Sequence, residues 1–240
     1  MGRLVKYLAN LGYGSRREVA RLLAERRVRD TEGHPLTDDA AFTHASVHVD
    51  DAPLDPAPGS VIALHKPLGY VCSTTDASNP VVYDLLPPRF RDRSPIMAAV
   101  GRLDRDTSGL LLLTDDGAFN HRLTSPRAHI PKVYEVTLAA DMRGDEAALF
   151  ASGTLRLAGD DEPLEPADLL VHGARAARIT LAEGRYHQVR RMFAAVGNHV
   201  DTLARVAIGG LHLADQPAGT WRVLSADERL LLTDRSRQVP

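Results

Sequence analysis

Apolar residues recur at helical spacing near the start of the chain. Leu4, Leu8 and Leu11 are separated by four and three positions, which predicts a short helix that ends at the glycines that follow. Ser15 and Glu18 then stand three positions apart in the pattern of a capping box. A second short helix, with an apolar side facing inward, is therefore expected to begin at this point.

Strand-like patterns dominate the rest of the chain. After short β-like pieces such as 46–49, Pro53, Pro56, Pro58 and Gly59 predict a linker. Strands are expected at 61–64, 110–114, 133–138, 178–181, 202–206 and 221–223, and helices at 117–123, 145–150 and 187–196. Most connections are too short for parallel crossovers, so the prediction is an α+β domain with a mixed, largely antiparallel sheet.

Composition places the chain among ordinary globular proteins. Of its 240 residues, 44% are hydrophobic and 25% charged, which excludes a disordered, collagenous or coiled-coil protein. The longest apolar runs, 96–100 and 192–196, are too short to span a bilayer, and the N-terminus lacks the pattern of a secretory signal. A single cysteine, Cys72, excludes an internal disulfide. We therefore expect a cytoplasmic protein without a membrane contact.

Charge is distributed unevenly although the formal net charge is only −2. Residues 1–29 contain eight Lys or Arg and two acidic residues, whereas residues 30–60 contain seven acidic residues and no Lys or Arg. The second predicted helix carries the candidates for a basic face that binds a polyanion: Arg16, Arg17, Arg21 and Arg26. The alternative is that these arginines form a solvated helix face.

The sequence GRLDRDTSGLLLLT at residues 101–114 is the most informative stretch for chemistry. It places Asp104 and Asp106 in a loop fixed to a buried strand, where function-capable groups are held rigidly. Spacing alone leaves two interpretations open, because aspartates at such a position also form turns or cap strands. With Asp115 and Asp116 these acids also suggest a metal-dependent phosphoryl-transfer site, although no phosphate-binding glycine loop accompanies them.

This stretch resembles the segment around the catalytic aspartate of the RsuA-type pseudouridine synthases. HKPLGYVCST at 65–74, TSPRAHIPKVYEVTL at 124–138 and EGRYHQVRRMFAAVGNHV at 183–200 resemble further motifs of that family, in the same order. The resemblance extends over the whole chain, and the N-terminal segment looks like an S4 RNA-binding domain. Chance agreement of four ordered motifs is improbable.

The resemblance implies roles for four residues. Asp104 matches the family nucleophile, which reacts at the sugar, either by adding to C1′ or by removing a proton from C2′. Arg190 matches the arginine that pairs with this carboxylate and keeps it charged, the alternative being a surface arginine. Arg102 matches the residue that fills the stack left by a flipped base, and Tyr134 the aromatic that stacks on the flipped uracil. For Tyr134 the alternative is an inward-facing strand residue.

The resemblance also implies an organisation and a function. Residues 1–60 are expected to form the S4-like domain and residues 61–240 the pseudouridine synthase catalytic domain. The expected reaction is site-specific isomerisation of uridine to pseudouridine in 16S small-subunit rRNA, with no cofactor and no metal. Ribosomal RNA or a partly assembled small ribosomal subunit is the expected partner of a monomeric enzyme. The alternatives are a large-subunit 23S rRNA synthase and a non-catalytic S4-domain RNA-binding or ribosome-assembly protein.

Overall fold

The computed structural model describes residues 3–233 and has an α+β architecture with two sheets. A small N-terminal unit contains α1 (Arg3–Asn10), α2 (Arg16–Ala24) and an antiparallel sheet of β1 (Val28–Arg29), β2 (His48–Val49) and β3 (Ala52–Pro53). Its own apolar core includes Leu4, Leu8, Val19, Val28 and Val49. The small unit therefore buries a core that is separate from that of the main sheet.

The start of α2 agrees with the sequence, but its end does not. The backbone N–H of Glu18 donates to Ser15 Oγ, and the Ser15 N–H donates to the Glu18 carboxylate, so the capping box is confirmed. The helix ends at Ala24, and Arg26 lies beyond it with a left-handed backbone, φ 58°. The expectation that Arg26 shares a helix with Arg16, Arg17 and Arg21 was wrong.

A nine-stranded sheet forms the larger part of the molecule. Its strands are β4 (Val61–Lys66), β5 (Ala98–Val100), β6 (Ser108–Thr114), β7 (Lys132–Leu138), β8 (Asp168–Gly173), β9 (Ala176–Leu181), β10 (Val200–Ile208), β11 (Leu211–His212) and β12 (Trp221–Val223). The order is β12-β4-β6-β10-β7-β9-β8, with β5 beside β6 and β11 beside β10. β6 and β10 pair in parallel and the other neighbours are antiparallel. The predicted mixed, largely antiparallel sheet is confirmed.

Both faces of the central strands are covered. Leu110 and Leu112 of β6 face one apolar cluster, while Leu111 and Leu113 face another. Burial of both faces accounts for the continuous run of leucines, because a strand with one exposed face would alternate apolar and polar residues. Four helices follow in the chain: α3 (Gly117–Thr124), α4 (Glu146–Ala151), α5 (Gln188–Ala195) and α6 (Ala226–Thr233). Short 3₁₀ turns lie at His44–Ser46, Val82–Leu85, Pro88–Arg91 and Pro126–Ala128.

The segment after β3, where the sequence predicts a linker, contacts the segment between β4 and β5. Arg89 Nε donates to Asp55 Oδ2 at 2.6 Å, and Arg93 Nη1 donates to the carbonyl of Pro56 at 2.8 Å. Gly12, φ 89°, leaves no room for a side chain, because a Cβ there would lie 2.3 Å from the Arg89 carbonyl oxygen. The small unit is therefore docked against the segment between β4 and β5. Within residues 3–233, no helix has the length and apolar character needed to cross a membrane.

Candidate active site

The loop that carries Asp104 connects β5 to β6, and we call residues 101–107 the Asp104 loop. It leads into a close approach between β6 and β10, where Gly109 pairs with Arg205. A Cβ at Gly109, φ 108°, would lie 2.2 Å from the Arg205 carbonyl oxygen, so only glycine fits. The Asp104 loop is thus anchored at its C-terminal end by backbone contact between β6 and β10. The two strands lie too close together at Gly109 for any side chain at that position.

Three cations bind carbonyl oxygens in or beside the Asp104 loop, and we call Lys66, Arg190 and Arg205 the loop-binding cations. Lys66 Nζ donates to the carbonyls of Thr107 at 2.8 Å, Pro67 at 3.1 Å and Arg105 at 3.4 Å. Arg205 Nε donates to Leu110 O at 2.8 Å and its Nη2 to Gly101 O at 3.2 Å. Arg190 Nη2 donates to Asp106 O at 2.7 Å and Nη1 to Val200 O at 2.8 Å. The backbone on both sides of Asp104 is fixed by positive charge.

Burial makes these contacts energetically important. The exposed fraction is 0% for Lys66 and 2% for Arg205, and among residues 3–233 neither forms an ion pair with a carboxylate. Burial lowers the pKa of Lys66, while the nearby carboxylates of Asp104 and Asp106 act in the opposite direction. Removing a donor from such carbonyls would leave buried acceptors unsatisfied. The cations therefore maintain the shape of the loop and supply positive potential behind the Asp104 carboxylate.

Arg190 lies at the cavity, but not as the sequence predicted. Its guanidinium donates to two backbone carbonyls, and across the described residues it forms no ion pair with Asp104. The predicted pairing was wrong, because both ends of the guanidinium are satisfied by carbonyls that the Asp104 loop and β10 present. Arg185, which also lines the cavity, is bound to Asp160 and Glu183. Arg190 therefore acts on the loop rather than on the carboxylate.

The side chain that does contact the Asp104 carboxylate is a histidine that sequence reasoning missed. His187 Nε2 lies 3.2 Å from Asp104 Oδ1, and 38% of the Asp104 side chain is exposed. His187 precedes α5 with a left-handed backbone, φ 48°, and its ring stacks at 3.8 Å on Tyr186, of which 70% is exposed. The only hint of His187 in the sequence was its place in the His-Gln-Val-Arg stretch that contains Arg190. That place does not predict the direction of the imidazole ring.

The Asp104 carboxylate opens into a cavity of about 630 Å³, within the size range of pockets for small ligands. Its wall brings together Arg102, Asp104, Tyr134 and Arg190, as the sequence predicted, and adds Lys132 and His187. Arg102 is exposed at the cavity and, within residues 3–233, has no hydrogen-bond partner or ion pair. Tyr134 is half-buried and packs against two apolar clusters. The cavity thus combines a carboxylate, an aromatic ring and cations that include Arg102.

The buried hydroxyl of Thr107 is a further polar group at this cavity. Only 1% of Thr107 is exposed, and among the described residues its Oγ1 has no hydrogen-bond partner, while its backbone N–H donates to the Asp104 carbonyl at 3.1 Å. A buried hydroxyl without a partner is unfavourable unless a ligand or water satisfies it.

The remaining acidic residues near this loop have structural partners. Asp115 accepts from the buried Arg93 at 2.8 Å and from the Gly59 N–H at 2.7 Å. Asp116 caps α3 by accepting from the Phe119 N–H. These contacts direct both carboxylates away from a shared metal site with Asp104, which weakens the phosphoryl-transfer alternative. In residues 3–233, the set of groups spaced for a metal ion is Asp30, Glu32 and His34, in an exposed turn of the small unit.

The basic face of the small unit is exposed. Arg16 and Arg17 lie in the first turn of α2, and Arg21 follows one turn later with a 3.8 Å contact to Glu25. Arg26 is exposed just beyond the helix. An exposed pair such as Arg21 with Glu25 contributes little to stability.

Comparison with known proteins agrees with this site. A family model described as RNA pseudouridylate synthase matches residues 60–195, which include the Asp104 loop and much of the cavity wall. The chain therefore belongs to the RNA pseudouridylate synthase family. Enzymes of this class are isomerases that act on RNA.

Two curated relatives and one solved structure sharpen the comparison. The chain is similar to the ribosomal small subunit pseudouridine synthase A of Escherichia coli (strain K12), with 43% identity over 94% of this chain and 97% of the relative. The protein of the same name from Pseudomonas aeruginosa PAO1 is 41% identical over 94% of this chain and 98% of its own length. A crystal structure of a pseudouridylate synthase aligns with a TM-score of 0.68 and 34% identity, over 97% of this chain and 100% of that chain.

Proposed function

We propose that this protein isomerises one or more uridines to pseudouridine in 16S small-subunit rRNA, with Asp104 as the nucleophile. The observation that carries the proposal is the position of Asp104 in the wall of the cavity, on a loop that three cations hold. The near full-length similarity to two proteins named for the small ribosomal subunit supports the substrate class. No cofactor takes part, because the reaction breaks one glycosidic bond and makes another without net oxidation.

The chemistry explains why an exposed carboxylate is needed. Cleavage of the bond from C1′ to N1 makes the anomeric carbon electron-deficient, and a carboxylate at the sugar stabilises that charge, as in retaining glycosidases. The freed base turns and bonds to C1′ through C5. Both an adduct at C1′ and proton removal at C2′ require the same carboxylate at the same sugar, so Asp104 serves either route. His187, at 3.2 Å, orients the carboxylate until the nucleotide arrives.

Arg102 and Tyr134 supply the groups that a flipped base requires. A base inside a stacked helix is out of reach, so the nucleotide must turn out and its place must be filled. The guanidinium of Arg102 is suited to fill that place, because within the described part of the chain no protein hydrogen bond has to be broken first. The Tyr134 ring is suited to stack on the uracil, and stacking of this kind is worth about 1 to 3 kcal/mol per base.

The small unit, residues 1–60, is proposed to be an S4-like RNA-binding domain, and residues 61–240 the catalytic domain. The family match begins at residue 60, which supports this boundary. Arg16, Arg17, Arg21 and Arg26 would contact phosphates of the rRNA or of a partly assembled small subunit. Since the small unit is docked through Asp55 and Pro56, it would present the RNA to the cavity in one orientation. The protein is proposed to act as a monomer.

The test is release of tritium from rRNA labelled at uridine C5, because formation of the C5–C1′ bond expels that hydrogen. We expect release from 16S and not from 23S rRNA, in the presence of EDTA. Asp104→Asn should lower the rate by at least about 10³-fold, as loss of a nucleophile does in other enzymes. The matched control is Asp106→Asn, because the Asp106 side chain is exposed and contacts Arg105 instead.

Two outcomes would contradict the proposal in different ways. Release from 23S rRNA alone would move the substrate to the large subunit and leave the role of Asp104 intact. Equal loss of activity in Asp104→Asn and Asp106→Asn would remove the case for Asp104 as the nucleophile.

A further inference from the structure

Lysine is rare in this chain, and its positions are informative. Of the 29 Lys and Arg residues only three are lysines: Lys6, Lys66 and Lys132. Lys66 is one of the loop-binding cations, and Lys132 lies in the wall of the cavity. On β7, Lys132 is two residues before Tyr134, so the two side chains lie on the same face of the strand and both line the cavity.

The ammonium of Lys132 has no hydrogen-bond or ion-pair partner among residues 3–233, unlike the other half-buried or buried cations of the cavity. Arg190 and Arg205 donate to backbone carbonyls, and Arg185 is bound to Asp160 and Glu183. The carboxylates that act on the charge of Lys132 belong to Glu165 and Glu183, and both have other partners. Glu183 accepts from Gln188 and Arg185, while Glu165 lies 3.3 Å from the His129 ring.

A partly buried ammonium without such a partner is unfavourable in the free protein. Burial lowers the pKa of Lys132, and the positive charge of Arg205 lowers it further. A charge of this kind is stabilised when a ligand brings a negative partner into the cavity. The side chain also lies next to the proposed stacking residue, Tyr134, so that partner is expected on the base rather than on the distant phosphates of the strand.

Cleavage of the C1′–N1 bond creates negative charge on the base, and this charge is a suitable partner for the Lys132 ammonium. When the C1′–N1 bond breaks, its electron pair stays with the uracil and is delocalised over N1 and the two carbonyl oxygens. A hydrogen bond from an ammonium to a carbonyl oxygen is stronger to this anion than to the neutral base. When C5 then bonds to C1′, the pair leaves the carbonyl oxygens, the C5 proton is lost and N1 is protonated. The lysine gives up no proton in this sequence.

We propose that Lys132 is a catalytic residue that donates a hydrogen bond to a uracil carbonyl oxygen and stabilises the negative charge on the detached base. This inference rests on the proposed function, since it needs a uracil in the cavity. It distinguishes two kinds of cation at one site: the loop-binding cations act on the protein backbone, and Lys132 acts on the reacting base.

The experiment compares Lys132→Met, which keeps the length and removes the charge, with Lys132→Arg, which keeps the charge. The matched control is Arg178→Met on the neighbouring strand β9, because Arg178 pairs with Glu135 on the other face of the sheet. Single-turnover tritium release is measured at saturating 16S rRNA, together with RNA affinity and thermal unfolding. We expect Lys132→Met to lower the single-turnover rate by about 10²-fold, as for loss of one charge-stabilising donor.

Three further results are expected. RNA affinity should change little in Lys132→Met, Lys132→Arg should recover part of the rate, and the thermal stability of Lys132→Met should equal or exceed that of the wild type. A purely structural lysine would instead lower the stability. A higher dissociation constant with an unchanged single-turnover rate would overturn the proposal by assigning Lys132 to RNA binding.

The design separates this inference from the proposed function. If the wild type releases no tritium from any rRNA, both are overturned. If the wild type is active, Asp104→Asn is inactive and Lys132→Met reacts at the wild-type rate, the role of Lys132 alone is overturned.

Discussion

Two groups of cations, which lie in the cavity wall or beside the Asp104 loop, have the same charge but different surroundings. Lys66, Arg190 and Arg205 donate to backbone carbonyls of the Asp104 loop and its neighbours, whereas Arg102 and Lys132 have no hydrogen-bond or ion-pair partner within residues 3–233. The bound group maintains the position of the Asp104 loop. The unpaired group is available to the nucleotide. Burial and hydrogen bonding, rather than charge, thus separate cations that stabilise the fold from cations that remain available to a ligand.

Replacement of Lys66 should have the largest effect on stability. Lys66→Met leaves three carbonyl oxygens without their shared donor, so the free energy of unfolding should fall by about 2 to 4 kcal/mol. Single-turnover activity should fall as well, because the Asp104 loop is deprived of a support on its C-terminal side. Urea unfolding measures the change, with Lys6→Met on the exposed side of α1 as the control. If both variants unfold alike, Lys66 does not hold the loop.

Replacement of Arg190 should have an intermediate effect. Arg190→Ala removes two hydrogen bonds to carbonyls from a half-buried side chain, which corresponds to about 1 to 3 kcal/mol. A double-mutant cycle with Asp104→Asn distinguishes the observed contact from the predicted ion pair. We expect the two stability changes to add within about 0.5 kcal/mol, because the guanidinium acts on the backbone. A coupling energy well above that value would reinstate the direct pairing with Asp104.

Replacement of Arg102 should leave the fold unchanged and weaken the reaction. An exposed side chain that makes no hydrogen bond within residues 3–233 contributes less than about 0.5 kcal/mol to stability, so Arg102→Ala should unfold like the wild type. Base flipping should become less favourable by about 1 to 3 kcal/mol, which single-turnover kinetics on 16S rRNA would report. A fall in stability similar to that of Arg190→Ala would place Arg102 in the bound group.

Replacement of the arginines on the basic face of the small unit should have the smallest effect on the active site. Changing Arg16, Arg17, Arg21 and Arg26 together to Gln should leave stability and the rate at saturating RNA almost unchanged. Affinity should fall, and the slope of its logarithm against the logarithm of salt concentration should decrease by about 0.7 to 0.9 for each phosphate that the variant no longer neutralises. Superimposable slopes for variant and wild type would show that this face is only solvated.

Much of the fold could be predicted from the chain because the patterns are local. All six strands predicted after residue 60 and all five predicted helices are present, and the capping box begins α2 as expected. β8 was missed because Leu170 and Val171 are adjacent and both exposed at the edge of the sheet, which breaks the alternation of a half-buried strand. α6 was missed because its burial is confined to Leu232 among residues that are mostly exposed or half-buried.

The sequence singled out residues that line one cavity, but it did not predict the contacts that they make. Asp104, Arg102 and Tyr134 line one cavity because the Asp104 loop leads into β6, and β10 pairs with both β6 and β7. The partner of Asp104 depends on a single left-handed residue, His187, and on which carbonyls Arg190 meets across the fold. Such contacts are set by tertiary geometry, which neither spacing nor composition specifies.

The parallel pairing of β6 with β10 has a consequence for how the enzyme is made. Ser108 pairs with Ala204 and Gly109 with Arg205, so the anchor of the Asp104 loop joins segments roughly a hundred residues apart in the chain. During synthesis Asp104 leaves the ribosome long before β10, the strand that anchors its loop. Closing such a distant contact is a slow step that requires most of the sheet to form together. The Asp104 loop is therefore fixed only when β10 joins the sheet and the domain is complete. In a nascent or truncated chain that lacks β10, Asp104 lies on an unanchored loop.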